Sequence, residues 1–489
     1  LAHGATESLP RYWLSQPPAH APAKKMTSAI RSPSTQPTWK IIAARFPTSG
    51  STFSISGENY PRRRPPIGDL HTGSPMNRRV VITGMAGLTS LGTDWETVRQ
   101  SLRESRSGVT HMSAWDRIEG LQTRLAAPVV GFEQPAHYPR KKTRSMGRLS
   151  LLATRATELA LNSAGLLGSP LLTDGTTGIA YGSSNGSPTA VGLYGDRIVG
   201  KETTRGIGAN DYVQLMSHTC AANLAQFFEV RGRILSTCTA CTSGSQGIGY
   251  AFEAVKNGYQ EVMIGGGAEE LHVMEAAVFD ILYSASTRNQ EPHLTPRPFD
   301  EKRDGLVVGE GAGTFVLENL EHAQARQATI YGEIRGFGTN CDGQHLTHPS
   351  PQGMEQVMRL ALKSAELDPC DIHYVNAHGT ATEVGDIAES AATHAVFGDK
   401  VPVSTLKGHL GHTLGACGAL EAWITLEMLT EAWAAPTLNL DDIDPRCAPL
   451  DYIRSVPRPL SGSTAMSNNF AFGGINTSLI LQSWSEEDH

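Results

Sequence analysis

The chain has 489 residues, 39% of them hydrophobic and 18% charged, which fits a protein of several domains or one large duplicated fold and excludes disorder along its whole length. A net charge of −7 at pH 7 argues against a bulk electrostatic grip on nucleic acid. Seven cysteines, sparse and odd in number, exclude a disulfide scaffold and fit a reducing, cytoplasmic setting, and no run of apolar residues is long enough to cross a membrane.

Residues 1–75 stand apart. They hold nine Lys/Arg against three Asp/Glu, a balance of +6 that leaves −13 on the other 414 residues, and they contain 11 of the 28 prolines. Without a sustained helical or strand period they read as a disordered extension, a transit-like leader, or sequence upstream of a start at Met76. From Arg78 onward the pattern changes. Short apolar runs at 79–83, 178–182, 261–265, 372–376 and 401–404 read as strands. Amphipathic stretches at 146–164, 244–257, 355–366, 384–396 and 413–432 read as helices. This alternation predicts an α/β fold with parallel or mixed sheets. The glycine-rich run Gly309-Glu310-Gly311-Ala312-Gly313 leads into a strand rather than out of one, the reverse of a nucleotide fingerprint.

Three strand-to-helix junctions carry reactive side chains, and such junctions form the sites of open α/β sheets. The first is Ser236-Thr237-Cys238-Thr239-Ala240-Cys241-Thr242-Ser243-Gly244. A cysteine at a helix N-terminus meets free N–H groups and a partial positive charge, both favouring thiolate, so Cys241 is a candidate nucleophile. The bland alternative is a small buried hydrophobe. Cys238 and Cys241 also form a C-x-x-C, which raises a redox or zinc reading with His409 and His412 as distant partners; Cys238 is expected on the strand, in the core. The second junction ends Tyr374-Val375-Asn376-Ala377-His378 and precedes a helix bearing Asp386. The third is Lys407-Gly408-His409-Leu410-Gly411-His412, before a helix bearing Glu421. A thiol with two imidazoles and a lysine suits acyl transfer, the imidazoles steadying developing negative charge.

These motifs together resemble the elongating β-ketoacyl-acyl carrier protein synthases of the thiolase superfamily, from Met76 to about Trp484. The carriers of the resemblance are Thr239-Ala240-Cys241-Thr242-Ser243-Gly244, Asn376-Ala377-His378-Gly379-Thr380, and Lys407 with Gly411-His412. Arg297-Pro298-Phe299-Asp300, Arg303-Asp304-Gly305, the 309–313 run and Asn469-Phe470-Ala471-Phe472-Gly473-Gly474 complete it. The resemblance implies a duplicated α-β-α-β-α five-layer fold, with an N-terminal half over 76–325 and a C-terminal half over 326–485, and a homodimer. It implies that Cys241 takes an acyl group from acyl carrier protein. His378 and His412 would then support decarboxylation of malonyl-carrier, beside Lys407 and Glu421. The N–H groups of Cys241 and Phe472 would form an oxyanion hole, Phe472 would gate the site, and Thr380 and Thr382 would hold the phosphopantetheine arm. No metal and no separate cofactor is implied, since phosphopantetheine arrives on the carrier.

Departures from the family pattern are Ala471 for a glycine in the gate loop and Glu383 where proline is common. A thiolase would need a second catalytic cysteine, and Cys417 and Cys447 lie in the wrong motif context. Chain-initiating synthases carry asparagine at the place of His412, and chain-length factors lack the nucleophile. A non-condensing partner subunit in a heterodimer is the remaining alternative. The runs 154–161 and 467–472 resemble synthases of aryl-polyene pigment clusters; fatty-acid elongation is the other pathway. Because the acyl carrier is acidic and the body of the chain is too, docking calls for a local basic patch, and Arg140, Lys141, Lys142 and Arg144 form the densest one.

Overall fold

The computed structural model describes residues 78–485; the leader read over 1–75 lies outside the described residues. The chain opens with β1 (Val80–Leu88), whose Val80, Val81 and Ile82 are fully buried, as a β-branched run in a central strand requires. Four further strands, β2 (Thr177–Gly182), β3 (Ile234–Thr237), β4 (Val262–Glu269) and β5 (Gly311–Asn319), join it in the order β1-β5-β4-β2-β3. The next group is β6 (Gly332–Cys341), β7 (Tyr374–Asn376), β8 (Pro402–Ser404), β9 (Asp451–Tyr452), β10 (Thr464–Phe470) and β11 (Ile475–Ser483), in the order β6-β11-β10-β7-β8-β9.

The two groups repeat one another. From β1 outward the pairings are antiparallel, antiparallel, parallel, parallel. From β6 outward they run antiparallel, antiparallel, parallel, parallel, with β9 added in parallel. The half-sheets touch through two residue pairs, Val81 with Glu333 and Ile82 with Gly332.

Helices α1 (Arg148–Ser163) and α2 (Thr219–Phe228) cover the outside of the first half-sheet. Helices α3 (Ser243–Lys256) and α6 (Cys417–Thr430) lie between the half-sheets, and α4 (Pro351–Ala365) and α5 (Glu383–Phe397) cover the second. This is the five-layer α/β architecture expected. Burial explains α6: a helix with sheets on two sides and α3 beside it has almost no wet face, so nearly every residue from Cys417 to Leu429 is buried. The predicted 413–432 helix starts four residues late because Leu414–Ala416 forms a tighter 3₁₀ turn.

The middle layer is thin because its contacts are glycine. Gly247 of α3 faces Gly265-Gly266-Gly267 of β4, and a Cβ on Gly247 would lie 2.4 Å from the Gly266 carbonyl oxygen. Alanine in place of helical glycine gains about 1 kcal/mol of propensity, whereas overpacking costs ~1–3 kcal/mol. The clash is with backbone, which cannot swing aside. Gly247→Ala is therefore expected to destabilise by about 1–2 kcal/mol net, read as a lower urea midpoint with an unchanged m-value.

Candidate active site

The nucleophile candidate sits on a one-turn 3₁₀ segment, Ala240–Thr242, between the end of β3 and the start of α3. Ala240 takes φ of +50°, an unfavourable conformation for a residue with a Cβ, and the bend turns the Cys241 thiol into a cavity. His378 follows β7 in the loop before α5, and His412 follows Gly411, whose φ of +66° suits glycine. Gly309 and Val307, from the strand region of the first half, clamp the His412 backbone. The His412 N–H donates to Val307 O at 2.7 Å and the Gly309 N–H donates to His412 O at 2.8 Å. The glycine-rich run that was read against nucleotide binding thus positions a histidine.

The side chains converge. His412 Nε2 lies 3.0 Å from Cys241 Sγ, and the His378 and His412 rings stand nearly perpendicular with centroids 5.1 Å apart. Burial, with the Lys407 charge adding to it, holds both imidazoles well below their ordinary pKa, so both are neutral at pH 7. Lys407 and Glu421 form a buried ion pair, and Asn469 Nδ2 donates to Glu421 Oε2 at 2.7 Å. Burial works against both charges of that pair; their mutual contact and the asparagine amide hold it ionised.

The thiol differs from the expectation. Burial pushes Cys241 up to about 12, against the pull of Lys407 and of the backbone N–H groups of Cys241 and Phe472. The helix N-terminus favours thiolate, but loss of water around sulfur outweighs it. At rest Cys241 is a neutral thiol with a neutral imidazole in hydrogen-bond reach.

Cys241, His378, His412, Thr380, Thr382 and Phe472 all line one cavity of about 670 Å³, mouth included. The Thr380 and Thr382 hydroxyls are 2.9 Å apart on its wall. Phe472 stands at the mouth, 38% exposed, tilted against Phe279 at 5.4 Å between centroids. Lys407 and Glu421 stand behind the histidines rather than in the cavity lining.

Two expectations are corrected. Cys238 is exposed, beyond the end of β3, because the bend that buries Cys241 turns Cys238 outward, where its thiol donates to Ser184 O. With the two thiols facing different ways, the C-x-x-C is neither a redox pair nor half of a zinc site. His409 faces the core away from the cavity, with Nδ1 2.9 Å from the Arg106 carbonyl oxygen and Nε2 3.0 Å from that of Pro436; burial lowers its pKa, and the neutral ring donates to one of the two. In the basic patch, Arg140, Lys141 and Arg144 are exposed on a short helix, Arg140–Thr143. Lys142 is not available in the same way. Its ammonium pairs with Glu229 at 2.9 Å, donates to Phe227 O and lies over the Phe227 ring.

The sequence reading missed the groups that hold the His378 loop. Glu389 accepts the N–H groups of His378 and Gly379 at 2.6 and 2.7 Å, and Asp386 accepts those of Phe299 and Ala381 at 2.7 and 3.1 Å. Both acids are buried on one face of α5 at i, i+3 spacing, a signal present in the sequence. Arg303, buried, donates to the carbonyls of Thr382 and Glu383 and pairs with Asp444, which explains the Arg303-Asp304-Gly305 motif.

The β-ketoacyl synthase N-terminal domain profile matches residues 77–323, and its C-terminal domain profile matches 331–441. The chain belongs to the β-ketoacyl synthase family. It is 36% identical over 408 residues to 3-oxoacyl-[acyl-carrier-protein] synthase 1 of Escherichia coli, covering 83% of this chain and 99% of that one. A crystal structure of a β-ketoacyl synthase from Burkholderia phymatum is 56% identical, with TM-score 0.82 over 83% of this chain and all of that one. A type II polyketide ketosynthase solved with its acyl-carrier protein is 26% identical, with TM-score 0.74 over 84% of this chain and all of that one. Enzymes of this family are acyltransferases of the condensing type.

Two outcomes test the site. Because Cys241 rests as a thiol, its alkylation by iodoacetamide should rise about tenfold per pH unit from about pH 7 to pH 9 without a plateau; a plateau near neutrality would show a resting thiolate. His409→Ala removes the one ring N–H available to the Arg106 and Pro436 carbonyls and leaves a cavity in the core, so it should cost about 1–3 kcal/mol of stability in urea while the surviving folded protein keeps most of its decarboxylation rate.

Proposed function

We propose that this chain catalyses decarboxylative Claisen condensation between a Cys241-bound acyl group and malonyl-acyl carrier protein. The observation that carries the reading is the buried triad itself: a thiol 3.0 Å from one neutral imidazole, with a second neutral imidazole beside it, on the wall of a cavity with an open mouth.

The geometry supports each step of this reading. An acyl-carrier thioester enters past Phe472 with its phosphopantetheine arm along Thr380 and Thr382. Cys241 Sγ attacks the thioester carbonyl and its proton passes to His412 Nε2. The N–H groups of Cys241 and Phe472, which already point at the sulfur region, stabilise the oxyanion. The pantetheine thiolate leaves with the proton from His412, which returns to its neutral form. Malonyl-carrier then takes the same cavity. Loss of carbon dioxide leaves an enolate whose oxygen accepts hydrogen bonds from the His378 N–H and from His412 in its Nε2–H tautomer, which the ring adopts once the sulfur is acylated and no longer offers a proton to Nε2. The carbanion attacks the Cys241 thioester, a carbon–carbon bond forms, and Cys241 departs as thiolate to regain a proton. Neutral imidazoles serve as donors without drawing the thiol into a permanent ion pair, and burial, with Lys407 adding to it, keeps them neutral. The half over 76–325 supplies the nucleophile and the half over 326–485 supplies His378, Lys407 and His412. The reaction needs no metal and no cofactor beyond the carrier's arm.

The exposed edge of β3, with Ile234 at the surface, is suited to pairing with a second copy, and a homodimer is part of this reading. The setting is cytoplasmic, in aryl-polyene or fatty-acid assembly. No helix among the described residues is long and apolar enough to span a membrane. A non-condensing heterodimer subunit is the rival reading, and the placement of Cys241 against His412 speaks for catalysis.

The test separates the half-reactions. Mass spectrometry of Cys241 after incubation with acyl-carrier thioesters reads loading; release of carbon dioxide from malonyl-carrier reads the second step. Cys241→Ser should abolish condensation and Cys238→Ser should keep it. His378→Ala and His412→Ala should lower decarboxylation by about 10²-fold or more, with His378→Ala sparing loading. Absence of both reactions in the unaltered protein would sink the proposal.

Docking is tested on the exposed members of the patch. Arg140→Glu with Lys141→Glu should raise the Michaelis constant for carrier-bound substrate several-fold at low salt and much less at high salt, leaving a small pantetheine thioester unaffected. Lys142 is left intact, since its loss would also break the Glu229 pair. Equal losses on both substrates would remove the docking claim.

A further inference from the structure

The same cluster that performs acyl transfer meets the requirements of a soft-metal site. The ligand atoms of Cys241, His378 and His412 all lie within 4.8 Å of one another, and all three residues are buried. Tetrahedral zinc has bonds of ~2.3 Å to sulfur and ~2.0–2.1 Å to imidazole nitrogen, which places its ligands about 3.4–3.6 Å apart. Side-chain adjustments of an ångström reach that spacing. Thiolate and imidazole are the donors zinc prefers, and three protein ligands leave a fourth position facing the cavity.

A second set overlaps the first. His378, Cys417 and Glu421 also bring their ligand atoms within 4.8 Å of one another. Cys417 Sγ donates to Cys241 O at 3.2 Å and receives Asn469 Nδ2 at 3.6 Å, so this thiol stands directly behind the nucleophile. Only one set can use His378 at a time. The second would take Glu421 from Lys407 and leave a buried ammonium without its partner, a strongly destabilising change. The first breaks no ion pair, and His412 Nδ1 has no hydrogen-bond partner among the described residues. The Lys407 charge, which would repel a cation, is matched by Glu421.

We infer that Cys241, His378 and His412 bind one Zn²⁺ per chain and that this ion and an acyl group exclude one another at Cys241. Coordination forms a Zn–S bond and releases the thiol proton to solvent, so binding strengthens as pH rises. An acylated sulfur has no such proton to give and is a poor ligand. Zinc therefore shuts off the free enzyme and spares the acyl-enzyme. The coordination stands on geometry alone; that bound zinc halts turnover rests on the proposed role of Cys241, and the two are read separately.

The experiment uses the full chain with Co²⁺ as a spectroscopic probe, then Zn²⁺ in competition. One Co²⁺ per chain should bind, with a sulfur-to-cobalt charge-transfer band and tetrahedral visible bands, and Zn²⁺ should bleach both. Cys241→Ser should lose the charge-transfer band and His412→Ala should weaken binding by about tenfold or more; Cys417→Ala should keep the band. Circular dichroism confirms that each variant is folded. Protein acylated at Cys241 should also lack the band. In the activity assay, Zn²⁺ added before the acyl thioester should block loading, and a chelator should restore it. A band that survives Cys241→Ser, a band lost in Cys417→Ala, or no band at all would overturn the inference.

Discussion

The buried Lys407–Glu421 ion pair is the interaction on which the rest of the site depends. It joins the turn that carries His412 to the central helix α6, and Asn469 from β10 completes it. Breaking such a pair by removing one partner costs about 3–5 kcal/mol, because the other charge stays in the core. The pair is also the electrostatic origin of the site. The ammonium acts with burial to hold two imidazoles neutral, while the carboxylate keeps the net charge of the cluster close to zero. Without Lys407, burial alone would still disfavour imidazolium. Without Glu421, the lysine would stand uncompensated behind the nucleophile.

Charge neutrality explains the division of work in the cavity. A thiol and two neutral imidazoles can each give or take one proton without creating a lasting charge in a dry place. In the proposed reaction the negative charge that forms, on a tetrahedral oxyanion and then on an enolate, is brief and meets N–H donors already in place. Burial is thus both a penalty on the resting thiolate and a benefit to the developing oxyanion. The same softness and neutrality make the cluster receptive to a thiophilic cation.

The repeated strand order accounts for the site's location. Each half ends a parallel strand near the middle layer, and the residues that follow β3, β7 and β8 meet around α3 and α6. Neither half can make the site by itself. Val307 and Gly309 from the first half fix the His412 backbone, and the Phe299 N–H of the first half donates to the Asp386 carboxylate of α5. Glu389 and Asp386, buried on the inner face of α5, tie the loop that carries His378 to the helix that follows it. The glycines between α3 and β4 allow the close approach that brings these elements together.

The sequence by itself determined the elements and the chemistry-bearing junctions. Apolar runs such as Val80-Val81-Ile82 and the helical period of 355–366 have one physical reading each, since a buried strand and an amphipathic helix impose their own spacing. Residue placement made Cys241, His378, Lys407 and His412 candidates, since reactive side chains gather among small residues at three strand ends, and the resemblance to a known family turned the candidates into an assignment. What tertiary structure alone decided was direction and environment. The turn at Ala240 sends Cys241 inward and Cys238 outward, although the two lie three residues apart. The resemblance singled out His412 over His409, and the fold supplies the reason by turning His409 to the core and His412 to the cavity. Lys142 was one of four like charges within five residues until the fold placed Glu229 beside it. The thiol's ionisation followed the same rule: a helix N-terminus can be read from sequence, but the removal of water that outweighs it depends on residues more than a hundred positions away, which only packing brings near.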